Sequence, residues 1–229
     1  MPLAIITGSS RGLGLALARA LAERQWALVI DARGGAELER AARELGAITE
    51  VVAIAGDVGD DWHRGALVEA AGDHIDLLVN NASLLGPSPQ PPLGRYPLDV
   101  LERVYRVNAL APIALAQLVL PRMPDGGVIV NVSSDAAIEA YAGWGGYGSS
   151  KAALDQASAI LAEEHPALRI YAVDPGDMRT QMHQDAFPGE DISDRPPPEA
   201  SVPGLLTLIE GDLESGRYRA RELATVAAA

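Results

Sequence analysis

A chain of 229 residues suits one generous domain, and its 48% hydrophobic residues, with many Ala, Leu and Val and a single Phe, suffice for a core of small, closely packed side chains. A formal charge of −13 excludes the basic stripe that nucleic acid rewards. There is no cysteine, and His63, His74, His165 and His183 show no ligand-like spacing, so neither a disulfide framework nor a metal site is expected.

The N-terminal stretch "MPLAIITGSSRGLG" lacks the features of a leader peptide, and no window approaches the ~18 apolar residues of a membrane span; a cytoplasmic protein without a membrane partner is expected. Short, branched, continuously apolar runs at 3–7, 27–30, 50–54, 75–80, 127–133 and 169–173 predict strands buried on both faces. Between them, leucines and alanines at three- and four-residue spacing predict helices at about 12–24, 36–45, 60–71, 97–122, 145–164 and 200–210. This alternation predicts an α/β fold, a Rossmann-type doubly wound parallel sheet with helices on both faces, in one domain over 1–229. Proline-rich segments at 86–97 and 187–203 read as loops beyond strand ends, where open sheets bind ligands, and 177–203 is expected to be a substrate-side loop or lid.

The first strand runs into "TGSSRGLGLALA", placing Gly8, Gly12 and Gly14 where a turn opens the first helix. Glycines there let a pyrophosphate approach free N–H groups at the positive end of the helix dipole. The spacing G-x-x-x-G-x-G differs from G-x-G-x-x-G, so its position after the first strand carries the argument. Farther along, "YGSSK" sets Tyr147 and Lys151 on one helix face, where a phenol and an ammonium can address the same small molecule.

Taken in order, "TGSSRGLG", "NNAS" (80–83), Asn108 in "VNALAP", Ser134 at 13 residues before Tyr147, "YGSSK" and "DPGDMRT" (174–180) resemble the short-chain dehydrogenase/reductase family. The resemblance implies an NAD(P)-dependent oxidoreductase that moves hydride between a nicotinamide and a carbonyl or secondary alcohol. It implies Tyr147 as general acid/base, Lys151 tuning the phenol and binding the nicotinamide ribose, Ser134 donating to the substrate oxygen, and Asn108 holding a relay water. Ser133 is the alternative to Ser134, and Asn108 could instead serve a helix kink ahead of Pro112. Gly8, Ser10, Arg11, Gly12, Leu13, Gly14, Asp57, Val58, Asn81, Ala82, Tyr147, Lys151, Pro175, Gly176 and Thr180 are implied at the cofactor; Asp57 or Asp60 could also cap the next helix. A free phenol titrates near ~10, and Lys151 with an oxidised nicotinamide is expected to lower that value.

One departure is Ser83, where the family usually carries glycine. Tyr141, Trp144, Leu84, Leu85, Met178 and Met182 are expected to form an apolar substrate wall. For the cofactor, Asp31 invites a ribose 2′-OH and hence NAD(H), but alignment to the family puts Ala32 at the discriminating position and Arg33 beside it. With Arg11 in the turn this predicts that NADP(H) is preferred and NAD(H) possible. A redox-sensing or scaffold protein on the same fold is the competing class, disfavoured because Asn108, Ser134, Tyr147 and Lys151 occur together. Apolar residues on more than one face of 97–122 and 145–164 predict a homodimer or homotetramer through these helices.

Overall fold

In the computed structural model, which describes residues 1–226, the six apolar runs become strands β1 (Leu3–Ile6), β2 (Ala27–Ala32), β3 (Val51–Ala55), β4 (Leu77–Asn80), β5 (Val128–Val132) and β6 (Arg169–Asp174). A seventh, β7 (Gly216–Arg219), was not foreseen because "GRYR" is short, polar and without an apolar run. Its contacts hold it at the edge: the rings of Tyr171 and Tyr218 meet edge-on at 5.8 Å, and Arg217 pairs with Asp155 at 2.9 Å. All pairings are parallel, in the order β3-β2-β1-β4-β5-β6-β7.

Alternation along each strand splits the core into two layers. On one side Ala4, Ile6 and Ile30 meet Leu17 and Leu21 of α1 (Gly12–Glu23), Leu38 of α2 (Gly35–Leu45) and Leu205 of a C-terminal helix. On the other, Ile5, Val29 and Ile129 meet Leu67 of α3 (Asp61–Ala71) and Leu115 and Val119 of the long central helix. The sheet is therefore covered on both faces except at β3, an edge strand whose Val52, Ala53 and Ala55 are exposed, so the expectation of burial on both faces fails there.

The predicted helix at 97–122 is interrupted. It forms α4 (Leu98–Tyr105), a π-helical turn at Arg106–Leu110 and α5 (Ala111–Val119), so the irregularity expected ahead of Pro112 is a widened turn around Asn108. Contrary to the expectation that no window approaches a membrane span, the run Leu98–Arg122 is long and apolar enough by length and composition to cross a membrane, with a mean hydropathy of 1.3 over its 18-residue window. Half of that window is buried in this fold, where α5 packs on the sheet.

After α6 (Gly145–Glu164), the segment expected to be loop carries α7 (Gln181–Ala186), and two helices follow, α8 (Val202–Glu210) and α9 (Ala220–Val226). The short α7 escaped detection because it is six mostly polar residues; what starts it is Thr180, whose hydroxyl accepts the His183 N–H at 3.3 Å. All carboxyl ends of the strands share one edge of the sheet. Because chain order reverses between β1 and β4, a crevice opens there.

Candidate active site

The floor of the crevice is built by the turn between β1 and α1. Gly8 and Gly12 adopt left-handed φ values of +70° and +58°. A Cβ on Gly8 would lie 2.9 Å from Ala82 Cα, so the turn sits directly on the segment after β4. Helix α1 begins with no side-chain cap and no acidic residue in its first turn, which leaves its N-terminal amides for an anion. The glycine turn thus fits the pyrophosphate of a dinucleotide.

Asn81 fixes this turn. Its amide donates to Thr7 O (2.8 Å) and Gly8 O (3.1 Å), and Thr7 Oγ1 accepts the N–H groups of Asn81 and Ala82, each at 3.0 Å. Gly14 lies beneath, where a Cβ would come within 2.4 Å of Gly8 O. The cleft of about 770 Å³ is bordered by the predicted Gly8, Ser10, Arg11, Gly12, Leu13, Arg33, Asp57, Val58, Asn81, Ala82, Pro175, Gly176 and Thr180, but not by Gly14.

At the far end of the cleft, Asp31 is 1% exposed. One carboxylate oxygen accepts the Gly8 N–H at 2.7 Å and the other lies 2.9 Å from His63 Nε2. Arg11 and Arg33 are exposed, border the cleft and form no ion pair with any described residue. Asp57 accepts the Gly59 N–H at 2.8 Å and sits 3.6 Å from Arg103, while Asp60 stands at the start of α3 without a side-chain capping bond. The capping role considered for either aspartate is therefore not used.

The predicted catalytic group gathers near the middle. Tyr147 and Lys151 lie on the first turns of α6, and Ser134 follows β5 by two residues, capping the short turn at Asp135–Ala137. Helix α6 is set against the sheet by a buried chain of amides that sequence reading missed: Asn80 donates to Asn131 (2.8 Å), Asn131 to Ser158 (2.8 Å), and Ser158 to Leu154 O (2.7 Å). Polar residues inside an apolar strand and an alanine-rich helix were the available signal, since buried amides need partners.

Tyr147 is 8% exposed, and burial pushes its phenol up to about 12, with Asp135 and Asp174 adding to the rise while hydrogen bonding to Ser83 and Ser134 opposes it. Lys151 is 1% exposed; burial pushes its ammonium down to about 8 against the pull of Asp155. Its Nζ donates to Val132 O at 2.7 Å and lies 5.6 Å from the centre of the Tyr147 ring. In the protein alone desolvation dominates both groups, and the lysine is held by a backbone carbonyl; the lowering expected of Lys151 belongs to its action together with an oxidised nicotinamide.

Ser134 Oγ donates to Asp135 Oδ1 at 2.9 Å and accepts the Ala136 N–H at 3.2 Å, whereas the Ser133 hydroxyl is buried without a partner. Asn108 is wholly buried and does not border the cleft. Its amide donates to Leu84 O (2.9 Å) and Ser150 Oγ (3.0 Å); its oxygen accepts Leu84 N–H (2.7 Å) and the Ser83 hydroxyl (3.2 Å). Every hydrogen-bonding position of that side chain is used. The serine in place of glycine at 83 therefore adds a link between the loop after β4 and the widened turn.

Of the residues expected to form an apolar wall, Trp144, Leu84, Leu85, Met178 and Met182 all border the cleft. The Trp144 ring meets Tyr147 edge-on at 5.9 Å and Phe187, which sequence reading missed, at 5.8 Å. Tyr141 does not border the cleft. It packs on the edge of Trp144 at 6.4 Å, and its single O–H hydrogen is shared between Asp135 (3.0 Å) and Glu139 (2.8 Å).

A family model described as short chain dehydrogenase matches residues 2–191. The chain belongs to the short-chain dehydrogenase/reductase family. It is 36% identical over 193 residues to the benzil reductase ((S)-benzoin forming) of Saccharomyces cerevisiae, covering 79% of this chain and 73% of that protein. It is 31% identical over 199 residues to the sepiapterin reductase of Bos taurus, covering 80% and 74%. Among solved structures, a Shigella flexneri short chain dehydrogenase complexed with NADP superposes with a TM-score of 0.87 at 26% identity, over 96% of this chain and 97% of that one.

This short-chain dehydrogenase/reductase is an NAD(P)-dependent oxidoreductase of carbonyl and alcohol substrates. It keeps a buried lysine at a cost in stability. The folded lysine binds its proton less tightly than the unfolded one, so the penalty is complete below about pH 8 and fades as pH rises toward the unfolded value of 10.5. Lys151→Met is expected to stabilise the cofactor-free protein at pH 7 by about 1–2 kcal/mol, after allowing for the lost bond to Val132 O, while abolishing turnover. Urea midpoints at pH 7 and pH 10 check this: the gain should shrink at the higher pH.

Proposed function

We propose that the protein reduces ketones bearing an aryl or other bulky apolar group to secondary alcohols, with NADPH preferred over NADH. The observation that carries the cofactor reading is the commitment of Asp31: its carboxylate is bound by Gly8 and His63, while Arg11 and Arg33 stand unpaired at the cleft. Two free guanidiniums suit a 2′-phosphate, for which charge-assisted bonds are the strong ones. The NADP bound by the Shigella flexneri relative supports the same reading. The wall of Trp144, Leu85 and Met182, extended by Phe187 behind Trp144, supports the substrate class, as does the likeness to a benzil reductase.

A bound reduced nicotinamide supplies the hydride. Oxyanion charge then develops on the substrate oxygen, and Tyr147 delivers its proton there. Ser134 donates a hydrogen bond to the same atom. Burial favours the protonated phenol until that charge appears and eases proton release from Lys151, the adjacent group from which the phenol's proton is restored. Asn108, its side chain fully bonded, is a positioning residue that ties Leu84 and α6 together. A relay water at this turn would be held by its backbone.

The protein assembles as a homodimer or homotetramer through α4, α5 and α6. Leu98, Leu110, Leu118 and Ile160 are exposed there at 72%, 58%, 41% and 48%, more apolar surface than a lone helix pair needs in water. Light scattering at micromolar concentration should give at least twice the chain mass of 24.0 kDa, and a monomer would contradict this.

Tyr147→Phe should lower kcat on benzil and related aryl ketones by about 10²–10⁴-fold while leaving the Kd for NADPH nearly unchanged, because only the proton-donating hydroxyl is lost. Turnover close to wild type would remove Tyr147 from the mechanism. In the same assay kcat/KM should favour NADPH, and Arg33→Ala should erase that preference; a wild-type preference for NADH would overturn the cofactor reading.

A further inference from the structure

The cofactor reading leaves a buried pair unexplained. Asp31, on the last turn of pleat before β2 ends, lies opposite Ile54 of β3 and borders the ribose end of the cleft with its carboxylate turned beneath the glycine turn. A carboxylate this buried is costly unless both oxygens are bonded. One oxygen has the Gly8 N–H; the other has only His63, itself 2% exposed.

The imidazole has little freedom. A Cβ on Gly56 would fall 2.2 Å from His63 Nδ1, so the ring is seated against the backbone that follows β3, and Nδ1 has no partner. The sole side-chain hydrogen bond of His63 among the described residues is therefore the one to Asp31. Around this end of the cleft the other charged groups are Arg11 and Arg33, both unpaired, Glu37, and Asp57, which is held by Gly59 and Arg103.

We propose that His63 is a specificity-determining residue that acts through Asp31: by holding the carboxylate under the turn, it keeps a negative charge from competing with a 2′-phosphate for Arg11 and Arg33. Without His63 one buried oxygen loses its donor, and the unpaired guanidiniums at the cleft are the groups able to replace it. The carboxylate would then favour a ribose hydroxyl and oppose a phosphate. This inference rests on the NADP(H) reading above.

The test is calorimetric measurement of Kd for NADPH and NADH with the full-length protein, without substrate. Wild type should bind NADPH more tightly. His63→Leu should reduce the NADPH/NADH affinity ratio by about tenfold or more, the size expected when a like charge comes near the phosphate. His63→Gln, whose Nε2 can still reach Asp31, should hold the ratio within about threefold, and the double variant His63→Leu/Asp31→Asn should restore it, since the charge is gone. Equal weakening of both cofactors in His63→Leu, or failure of the double variant to restore the ratio, would overturn the proposal and leave His63 a packing residue. A wild-type preference for NADH would instead overturn the cofactor reading itself. If His63→Leu does not melt cooperatively, His63→Asn, too short to reach Asp31, replaces it with the same expected loss.

Discussion

Much of this molecule depends on one clasp at the seam between β1 and β4. There the Asn81 amide holds two carbonyls of the glycine turn while the Thr7 hydroxyl receives two N–H groups from the opposite segment. The seam is where strand order reverses, so it has no continuous helix to close it, and backbone groups there would otherwise be unpaired. By satisfying them from the side, Asn81 fixes the floor on which a pyrophosphate can sit and from which α1 projects its N-terminus. Both of its amide hydrogens are spent on the carbonyls of the turn.

A second constraint runs through the chemistry. Tyr147 and Lys151 are both nearly inaccessible, and both are displaced in the direction that desolvation dictates, the phenol upward and the ammonium downward. Groups so placed are poor contributors to folding, yet they are suited to holding a proton until charge develops beside them. The surrounding hydrogen-bond network sets the position of α6: Asn80, Asn131 and Ser158 fix it from below, while Asn108, Ser150 and Ser83 fix its mouth. Fully bonded polar networks of this kind define one arrangement where an apolar contact would tolerate several.

The fold was legible because period and punctuation agree: six strands, five of them largely buried, show as apolar runs, and six helix spans, one of them interrupted, show as leucine and alanine repeats. What escaped were elements stabilised by tertiary contacts. Strand β7 depends on Tyr171 and Asp155, far away in sequence, and α7 is short and carries the cleft wall beside Phe187. The residues that border the cleft were readable from ordered motifs. Their bonding was not: the full saturation of Asn108, the burial of Asp31 against His63, and the outward position of Tyr141 arise from packing between segments distant in the chain. Even Ser83, visible as a departure from the family pattern, gained meaning only from its place next to Asn108.

The central claim is that this crevice adds a hydride to a carbonyl carbon and a proton, from Tyr147, to its oxygen. Reduction of benzil with NADPH deuterated at C4 of the nicotinamide, one face labelled at a time, followed by mass spectrometry of the alcohol, tests it most directly. Deuterium should appear on the carbinol carbon from one labelled face only, and none should enter that carbon when unlabelled cofactor is used in D₂O under conditions where the alcohol does not exchange. Deuterium reaching that carbon from the solvent, or no alcohol from any aryl ketone tried, would contradict the account.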